Sequence, residues 1–249
     1  MDAEVLRKLD ADIGGHLLFT DGDDHDGIIA LHPIVVANRE VGVNWRGDTT
    51  SFSASYYDSK ADFGTSLAID PATNDFVLNR APTRIKGFEF SGDWNINEDW
   101  KLSGIYSRIR GKTAFWNADT TGRYPAGGLN KPMGALDVNP DKIALSVRWK
   151  FNEAGDVTLG STTLLSRDLS GSDVREFDGA TYSYEEHTEG YTLFDLGMNY
   201  RVEKWGRFSV GIGTLGNKQY ILTWSQVPGF RNYWAGRGRM YSFTYEYTF

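Results

Sequence analysis

The segment "FTDGDDHDGII", residues 19–29, has the densest group of acidic and imidazole side chains in the chain. The group comprises Asp21, Asp23, Asp24, His25 and Asp26. A calcium-binding loop needs oxygen ligands at alternate positions, a glycine at its sixth position and a glutamate at its twelfth. Counted from Asp21, those two positions hold Asp26 and His32, so the spacing does not fit. The sequence therefore predicts a solvated acidic loop here and no metal site.

Catalytic chemistry has no positive support in the sequence. The four histidines, His16, His25, His32 and His187, show no pairing at metal-ligand spacing, so we expect them to be surface residues. No Gly-x-Ser-x-Gly, His-Glu-x-x-His or phosphate-loop pattern occurs. The chain has no cysteine, which removes thiolate catalysis and disulfides, and its net charge of −7 argues against a nucleic-acid partner. We expect a protein that is not an enzyme.

The ending "GRGRMYSFTYEYTF" shows what kind of element the chain uses. In an extended strand one face carries the aromatic residues Tyr241, Phe243, Tyr245, Tyr247 and Phe249. The opposite face carries Ser242, Thr244, Glu246 and Thr248. Five large apolar groups on one face need either a protein core or a lipid bilayer. No run of 18 apolar residues exists, which excludes a transmembrane helix but not a membrane barrel.

Alternating segments recur along the chain, with two kinds of connection between them. Tight polar turns are expected at residues 47–49, 97–99, 152–155 and 203–206. Long polar stretches are expected at about residues 59–80, 112–139, 168–188 and 217–236. Short turns at one end of a sheet and long loops at the other are typical of outer-membrane barrels. The sequence predicts an all-β, antiparallel, up-and-down transmembrane barrel segment of about nine strands.

Tryptophan positions support the same interpretation. Trp45, Trp94, Trp100, Trp149 and Trp205 all lie within a few residues of the expected short turns. A lipid-facing barrel places aromatic residues in a girdle at each membrane interface, because the ring is apolar at one end and polar at the other. The alternative is that these tryptophans cap the core of a sandwich.

Several motifs, in their order along the chain, resemble the C-terminal part of a TonB-dependent outer-membrane receptor. They are "NREVGVNW", "PTRIKGFEFSGDWNINEDWKLSGIYSRIRGK", "YTLFDLGMNYRV", "FSVGIGTLGNKQY" and the terminal "YEYTF". The family usually has an Asn-Leu-Phe-Asp run where this chain has Thr214-Leu215-Gly216-Asn217. The segment "QYILTWSQVPGFRNYWAGRGRMYSF" is most similar to siderophore receptors of the ferric aerobactin and related hydroxamate type.

The resemblance implies a barrel of roughly 22 strands closed around an N-terminal plug. Residues 1–38 would be a partial extracellular loop and lead-in, and residues 39–249 the C-terminal strands, with the plug domain absent. Open strand edges are not stable in hydrocarbon, and no signal peptide is visible. The expectation is a fragment, a truncated reading frame or one piece of a split gene, and we expect it to be inactive alone.

The implied function is uptake of a ferric siderophore across the Gram-negative outer membrane, energised by TonB. The implied partners are the TonB complex acting through the plug, the β-barrel assembly machinery, outer-membrane lipid and the siderophore. The machinery would read Tyr245, Tyr247 and Phe249. No resident cofactor is implied, since iron arrives as cargo.

Loop aromatics and arginines are the implied ligand contacts, because rings stack on flat ligand groups and arginine hydrogen-bonds anionic oxygens. The candidates are Trp116, Arg123, Tyr124, Arg175, Trp224, Arg231, Tyr233 and Trp234. The alternative for any one of them is packing between loops or a place in the outer lipid girdle.

Two other functions stay open at this point. One is a small self-contained outer-membrane barrel that acts as an adhesin or surface hydrolase. The other is a soluble β-sandwich that binds carbohydrate.

Overall fold

A computed structural model of the protein describes residues 34–69, 76–114, 129, 131–170, 175–177, 180–182, 185–227 and 234–247. The backbone alone is described at residues 63, 65–69, 76–80, 170, 175–177 and 180–182. The strands are β1 (Val36–Arg46), β2 (Thr50–Ile69), β3 (Phe76–Asn95), β4 (Trp100–Thr113), β5 (Lys131–Pro132), β6 (Lys142–Asn152), β7 (Gly155–Leu164), β8 (Arg167–Ser170), β9 (Arg175–Phe177), β10 (Ala180–Tyr182), β11 (Glu185–Thr188), β12 (Tyr191–Val202), β13 (Gly206–Gly213) and β14 (Met240–Glu246). Among the described residues, one 3-10 turn, η1, covers Thr223–Gln226. Within the described ranges, no helix has the length and apolar character needed to cross a bilayer.

Nine long strands form one antiparallel meander, in the order β1-β2-β3-β4-β6-β7-β12-β13-β14. Each of these nine strands pairs with the next one in this order, and β5 adds a short pairing to β4. The predicted all-β, up-and-down segment of about nine strands is therefore confirmed. The sheet does not close on itself in the part of the chain that the structure describes, and β1 and β14 are its two edges.

The short turns lie where the sequence predicted them, and their polar residues make the hydrogen bonds that reverse the chain. Asn97 Oδ1 accepts hydrogen bonds from the backbone N–H groups of Asp99 and Trp100, at 2.9 and 2.8 Å. Asn152 Oδ1 accepts one from Ala154 N at 2.9 Å. Gly206 has φ of 92°, and a Cβ there would lie 2.2 Å from the backbone oxygen of Glu246, so only glycine fits.

Outward-facing apolar side chains cover one face of the sheet. Phe90, Leu145, Phe194 and Phe243 are each 40% exposed or more, although all four lie on paired strands. The buried apolar side chains among the described residues are instead few and mostly small: Ala61, Ala81, Ala114, Met133, Ala135, Val138 and Val227. A β-sandwich would bury its aromatic face against a second sheet, so this exposure disfavours the soluble sandwich.

The outward aromatic rings touch one another towards the short turns. The Trp100 and Trp149 rings stack with centroids 5.6 Å apart, and Phe151 and Tyr200 stack at 6.1 Å. On the first hairpin, Trp45 stacks on Phe52 at 5.5 Å. Trp94 and Trp205 are 48% and 67% exposed. These contacts form a row of rings across the turn end of the sheet.

The opposite face carries polar side chains that bond to one another across strands. Asp93 accepts a hydrogen bond from Ser103 at 2.6 Å and pairs with Lys101 at 3.0 Å. Asp156 pairs with Arg148 at 3.0 Å and accepts a hydrogen bond from Asn199 at 2.9 Å. This alternation of a mainly apolar and a mainly polar face is the pattern of a spanning barrel strand.

The prediction of a loop at residues 59–80 was wrong over much of its length. β2 and β3 have 20 residues each, and their pairing continues to Ile69 opposite Phe76, with one irregularity between Ala61 and Gly64. A strand that leaves the membrane no longer needs a strictly apolar face, so the alternation breaks down there, and the Gly, Asp, Asn, Thr and Pro residues of the segment make it look like a loop. The other long connections also contain structure, namely the short strand β5, the ribbons β8–β11 and β9–β10, and the turn η1.

Candidate functional site

The closing connection between β13 and β14 starts with a turn that is fixed on both sides. Thr214 and Asn217 have positive φ angles of 50° and 49°. Thr214 N donates to Asp195 Oδ1 on β12 at 2.9 Å, and Asn217 Oδ1 accepts from Arg239 N at 2.9 Å. The turn is thereby held to β12 and to the residue that precedes β14. It is the same run in which the sequence departs from the family's usual Asn-Leu-Phe-Asp.

Beyond this turn the chain folds back on itself. Ile221 and Ala235 form an isolated antiparallel bridge, and Gly236 N donates to the Tyr220 carbonyl at 2.8 Å. The fully buried Ser225 closes the fold, because its Oγ donates to the Leu222 carbonyl at 3.0 Å and accepts from the Trp234 N–H at 3.1 Å. The described residues on the two sides of this loop therefore hold each other in place.

A side-chain amide ties this loop to the connection before β12. Gln226 Oε1 accepts from Glu189 N at 2.7 Å. Its Nε2 donates to the carbonyls of Glu189 and Ile221, at 3.3 and 3.0 Å. One glutamine thus joins segments that are 37 residues apart in the chain.

Between the two segments lies an open cleft of about 870 Å³. Its lining is formed by His187, Glu189, Gly190, Tyr191, Asn217, Lys218, Gln219, Tyr220, Ile221, Gln226, Ala235, Gly236 and Gly238. The rings of Tyr191 and Tyr220 lie against each other with centroids 4.4 Å apart. Gly236 lets the backbone approach this pair, since a Cβ there would lie 1.9 Å from the Tyr220 ring. The cleft therefore combines an aromatic surface with groups of both charges.

His187 reaches the cleft from β11, where burial alternates along the strand. Its Nδ1 pairs with Asp168 on the neighbouring β8. The hydrogen bond to Asp168, helped by the charges of Asp168 and Glu189, raises the pKa of His187 above its ordinary value. The imidazole is therefore held closer to its cationic form than a free histidine at neutral pH.

A buried ionic cluster anchors the β8–β11 ribbon to the connection that follows β4. Glu186 and Arg167 are 3% and 5% exposed and form an ion pair at 3.5 Å. Glu186 Oε1 also accepts from Ala135 N at 2.9 Å. Burial lowers the pKa of nearby Lys131, and the charges of Asp137 and Glu186 oppose that change. Because a buried charge needs its partners in fixed positions, the cluster sets the position of the ribbon.

Most of the predicted ligand contacts cannot be placed. Trp116, Arg123, Tyr124, Arg231 and Tyr233 lie outside the described residues, as does the acidic segment 21–26. The backbone of Arg175 lies in β9, opposite Tyr182. The loop does bring Trp224 and Trp234 together, with ring centroids 5.7 Å apart. Neither tryptophan is among the residues that line the cleft, whereas the neighbouring Ala235 and Gly236 are. These assignments stay predictions.

Sequence reasoning missed the residues that form the cleft. Lys218 and Tyr220 belong to the motif "NKQY", which was recognised as family resemblance without a binding role. Gln226 gave no local signal, because its partner is distant in sequence. Over the described ranges, no group of three or more His, Asp or Glu side chains is placed to hold a metal ion.

Comparison with known proteins gives a consistent result. The family model described as "TonB dependent receptor-like, beta-barrel" matches residues 18–217. The chain is 27% identical over 210 residues to Hemoglobin-haptoglobin utilization protein B of Neisseria meningitidis serogroup C, which covers 75% of this chain and 24% of that protein. It is 25% identical over 269 residues to Transferrin-binding protein A of Neisseria meningitidis serogroup B, which covers 89% of this chain and 27% of that protein.

Solved structures show the same fold. The copper transporter OprC superposes with a TM-score of 0.63 at 14% identity, over 85% of this chain and 30% of that chain. The chain spans about a quarter of the length of the curated relatives it matches, which are 24% and 27% covered.

Proposed function

Because the chain belongs to the TonB-dependent receptor-like β-barrel family, whose members are integral proteins of the Gram-negative outer membrane, we propose that it takes part in TonB-energised uptake of a ferric siderophore. The relatives are receptors and transporters rather than enzymes. The proposed substrate class is the hydroxamate siderophores of the aerobactin type. TonB would act through a plug domain outside this chain.

The observation that carries this proposal is the cleft at the loop end of the sheet. Small-molecule sites usually have volumes of roughly 300–1,000 Å³, and this one has about 870 Å³. The Tyr191–Tyr220 pair offers a flat apolar surface, and Lys218 and His187 offer cationic donors to anionic oxygens. Trp234 is next to Ala235, which lines the cleft, and its ring lies against that of Trp224, so both tryptophans remain proposed ligand contacts.

The barrel that carries this cleft needs strands beyond the described nine. An exposed strand edge in hydrocarbon leaves backbone N–H and C=O groups without partners, at several kcal/mol each. An antiparallel ring with every neighbour antiparallel also needs an even number of strands. We therefore propose that residues 39–249 are the C-terminal strands of a barrel of roughly 22 strands, that β1 and β14 pair outside this chain, and that residues 1–38 are a partial extracellular loop and lead-in.

The aromatic residues at the turn end fit two further roles. Trp45, Trp94, Trp100, Trp149 and Trp205 would form the girdle at the periplasmic interface, because rings with one polar edge are favoured there. Tyr245, Tyr247 and Phe249 would be the signal that the barrel-assembly machinery reads. Tyr245 and Tyr247 are 49% and 48% exposed on the same outward face as the proposed girdle.

A second candidate ligand is a host iron-carrying protein. The curated relatives are named for haemoglobin-haptoglobin and transferrin. The hairpin β2–β3, with 20 residues in each strand, is about twice as long as a spanning strand needs. Such an extension offers surface for a macromolecule, whereas the cleft suits a small one.

Growth on a sole iron source separates the two candidates. A strain deleted for the locus is complemented with the complete reading frame and given ferric aerobactin, ferric catecholate, haemoglobin or transferrin. The proposal expects growth on ferric aerobactin. Growth on haemoglobin or transferrin alone would favour the second candidate.

Variants of the cleft test its role directly. Tyr220→Ala removes half of the aromatic surface and should weaken siderophore binding about tenfold, which corresponds to ~1.4 kcal/mol. The matched control is Tyr241→Ala, whose ring is 71% exposed on the outward face. Equal binding by both variants and the wild type would exclude the cleft as the binding site.

A further inference from the structure

A group of cations lies on the outward face just beyond the apolar rows of β2, β3 and β4. The group, named here the basic strip, consists of Arg84, Lys86, Arg108, Arg110 and Lys112. Register places its members on successive rungs: Phe88 lies opposite Arg108, Lys86 opposite Arg110, and Arg84 opposite Lys112. All five are therefore on the face that carries Phe88 and Tyr106 rather than on the luminal face.

Two carboxylates flank the basic strip, Asp58 on β2 and Asp141 immediately before β6. Asp58 pairs with Arg84 at 2.6 Å and with Lys86 at 3.9 Å. Asp141 pairs with Arg110 and, at 3.8 Å, with Arg108. Five cations against two carboxylates leave an excess of three positive charges in a chain whose net charge is −7.

Exposure shows which charge the surface presents. The side chains of Asp58 and Asp141 are only 25% and 10% exposed. Those of Arg84, Lys86, Arg108 and Arg110 are 39–57% exposed. The acids therefore orient the cations without covering them, and the outward surface is positive.

We propose that the basic strip binds the phosphate groups of glycolipid headgroups in the outer leaflet. Lys86 is two residues from Phe88, and Arg108 is two residues from Tyr106, a separation of about 6.6 Å along each strand. If the apolar rows contact acyl chains, this distance places the cations at the level of the headgroups. Phosphate pairs well with arginine through two parallel hydrogen bonds. The inference rests on the placement of the strands in the outer membrane and not on the siderophore.

Location favours lipid over a soluble anionic partner. The strip lies on the outward face beside the apolar rows, where headgroups would already be in contact, whereas the β2–β3 extension continues beyond it. Each cation near an anionic membrane surface contributes about 1 kcal/mol, or roughly a fivefold change in affinity. Because five cations lie together, a specific contact with phosphate can be distinguished from general adhesion to lipid.

Binding of defined lipids tests this proposal. The protein from the complete reading frame is purified in zwitterionic detergent, and its binding to bis-phosphorylated lipid A and to dephosphorylated lipid A is measured by native mass spectrometry. The wild type should bind the bis-phosphorylated form at least tenfold more tightly. The double variant Lys86→Gln, Arg108→Gln should bind it about 25-fold less tightly than the wild type.

The matched control is the double variant Arg148→Gln, Lys150→Gln, which removes two similarly paired cations from the luminal face of the same sheet. It should bind within twofold of the wild type. Equal binding of both lipid forms by the wild type would overturn the proposal, and this comparison stands even if the Lys86 and Arg108 variant fails to fold. Full displacement by inorganic phosphate at the lipid's own concentration would also overturn it, because free anion and not lipid would then be the ligand.

Discussion

An arginine placed in the middle of the outward apolar face should destabilise the protein in a way that depends on the bilayer. Leu145 is the residue to change, because it lies in the middle of the outward row of β6 and is 50% exposed. Its strand neighbours on that face are Ile143 and Val147. Leu145→Arg would bring a charge to the part of the face that is farthest from both rims.

The expected magnitude follows from the strand geometry. Leu145 is seven residues from Asn152, where β6 ends. At about 3.3 Å per residue and a tilt of about 45°, this places it roughly 16 Å above the turn. The apolar band of such a barrel is about 25 Å tall, so Leu145 lies close to the midplane. Arginine there costs about 2–4 kcal/mol, which reduces the folding equilibrium constant by roughly 30- to 900-fold.

The assay is urea unfolding in lipid vesicles of protein from the complete reading frame, followed by tryptophan fluorescence. The matched control is Ser146→Arg, one residue away on the polar face, where Ser146 lies opposite Ser103. We expect a change below about 1 kcal/mol for this control, because the luminal face is polar. If both arginine variants cost the same, or if Leu145→Arg costs nothing, the assignment of the two faces is wrong.

Two further predictions concern the loop end. Thr214 has φ of 50°, a conformation that strains a β-branched residue and that asparagine tolerates. Thr214→Asn should therefore stabilise the protein by about 0.5–1 kcal/mol in the same urea assay. A loss of stability would refute the strain argument. The pKa of His187 is raised in the folded protein, so its pairing with Asp168 contributes to folding stability. This stabilisation is fully present below the ordinary histidine pKa of about 6.5 and is lost as the pH rises through the pKa of the folded protein. An NMR titration of the His187 ring should therefore show a pKa above 6.5, and Asp168→Asn should lower it; an unchanged midpoint in the variant would exclude Asp168 as the cause.

The sequence could predict the parts of the fold that local chemistry decides. Side chains alternate with a period of two, so the outward positions of Phe90, Leu145 and Phe243 followed from spacing alone. Turn residues such as Asn97 and Asn152 bond to their own backbone, so the short turns were also visible.

Structure that depends on distant partners could not be predicted in this way. The sequence of the β2 and β3 extension lacks a regular apolar alternation and contains Gly, Asp, Asn, Thr and Pro residues, so it looks like a loop. The cleft depends on Gln226 reaching Glu189, and on Gly236 passing close to Tyr220. Neither contact produces a periodic pattern in the sequence, because each joins two segments through a single pair of residues.

The most direct test of the account is which solvent each face of β14 contacts. Since the chain has no cysteine, single-cysteine variants at Phe243 and Thr244 can each carry one nitroxide spin label. In lipid vesicles, we expect the label at 243 to collide with oxygen dissolved in the acyl chains and to be shielded from a water-soluble nickel chelate, and the label at 244 to show the reverse. A label at 243 that the chelate reaches as readily as it reaches 244 would contradict a lipid-facing aromatic surface.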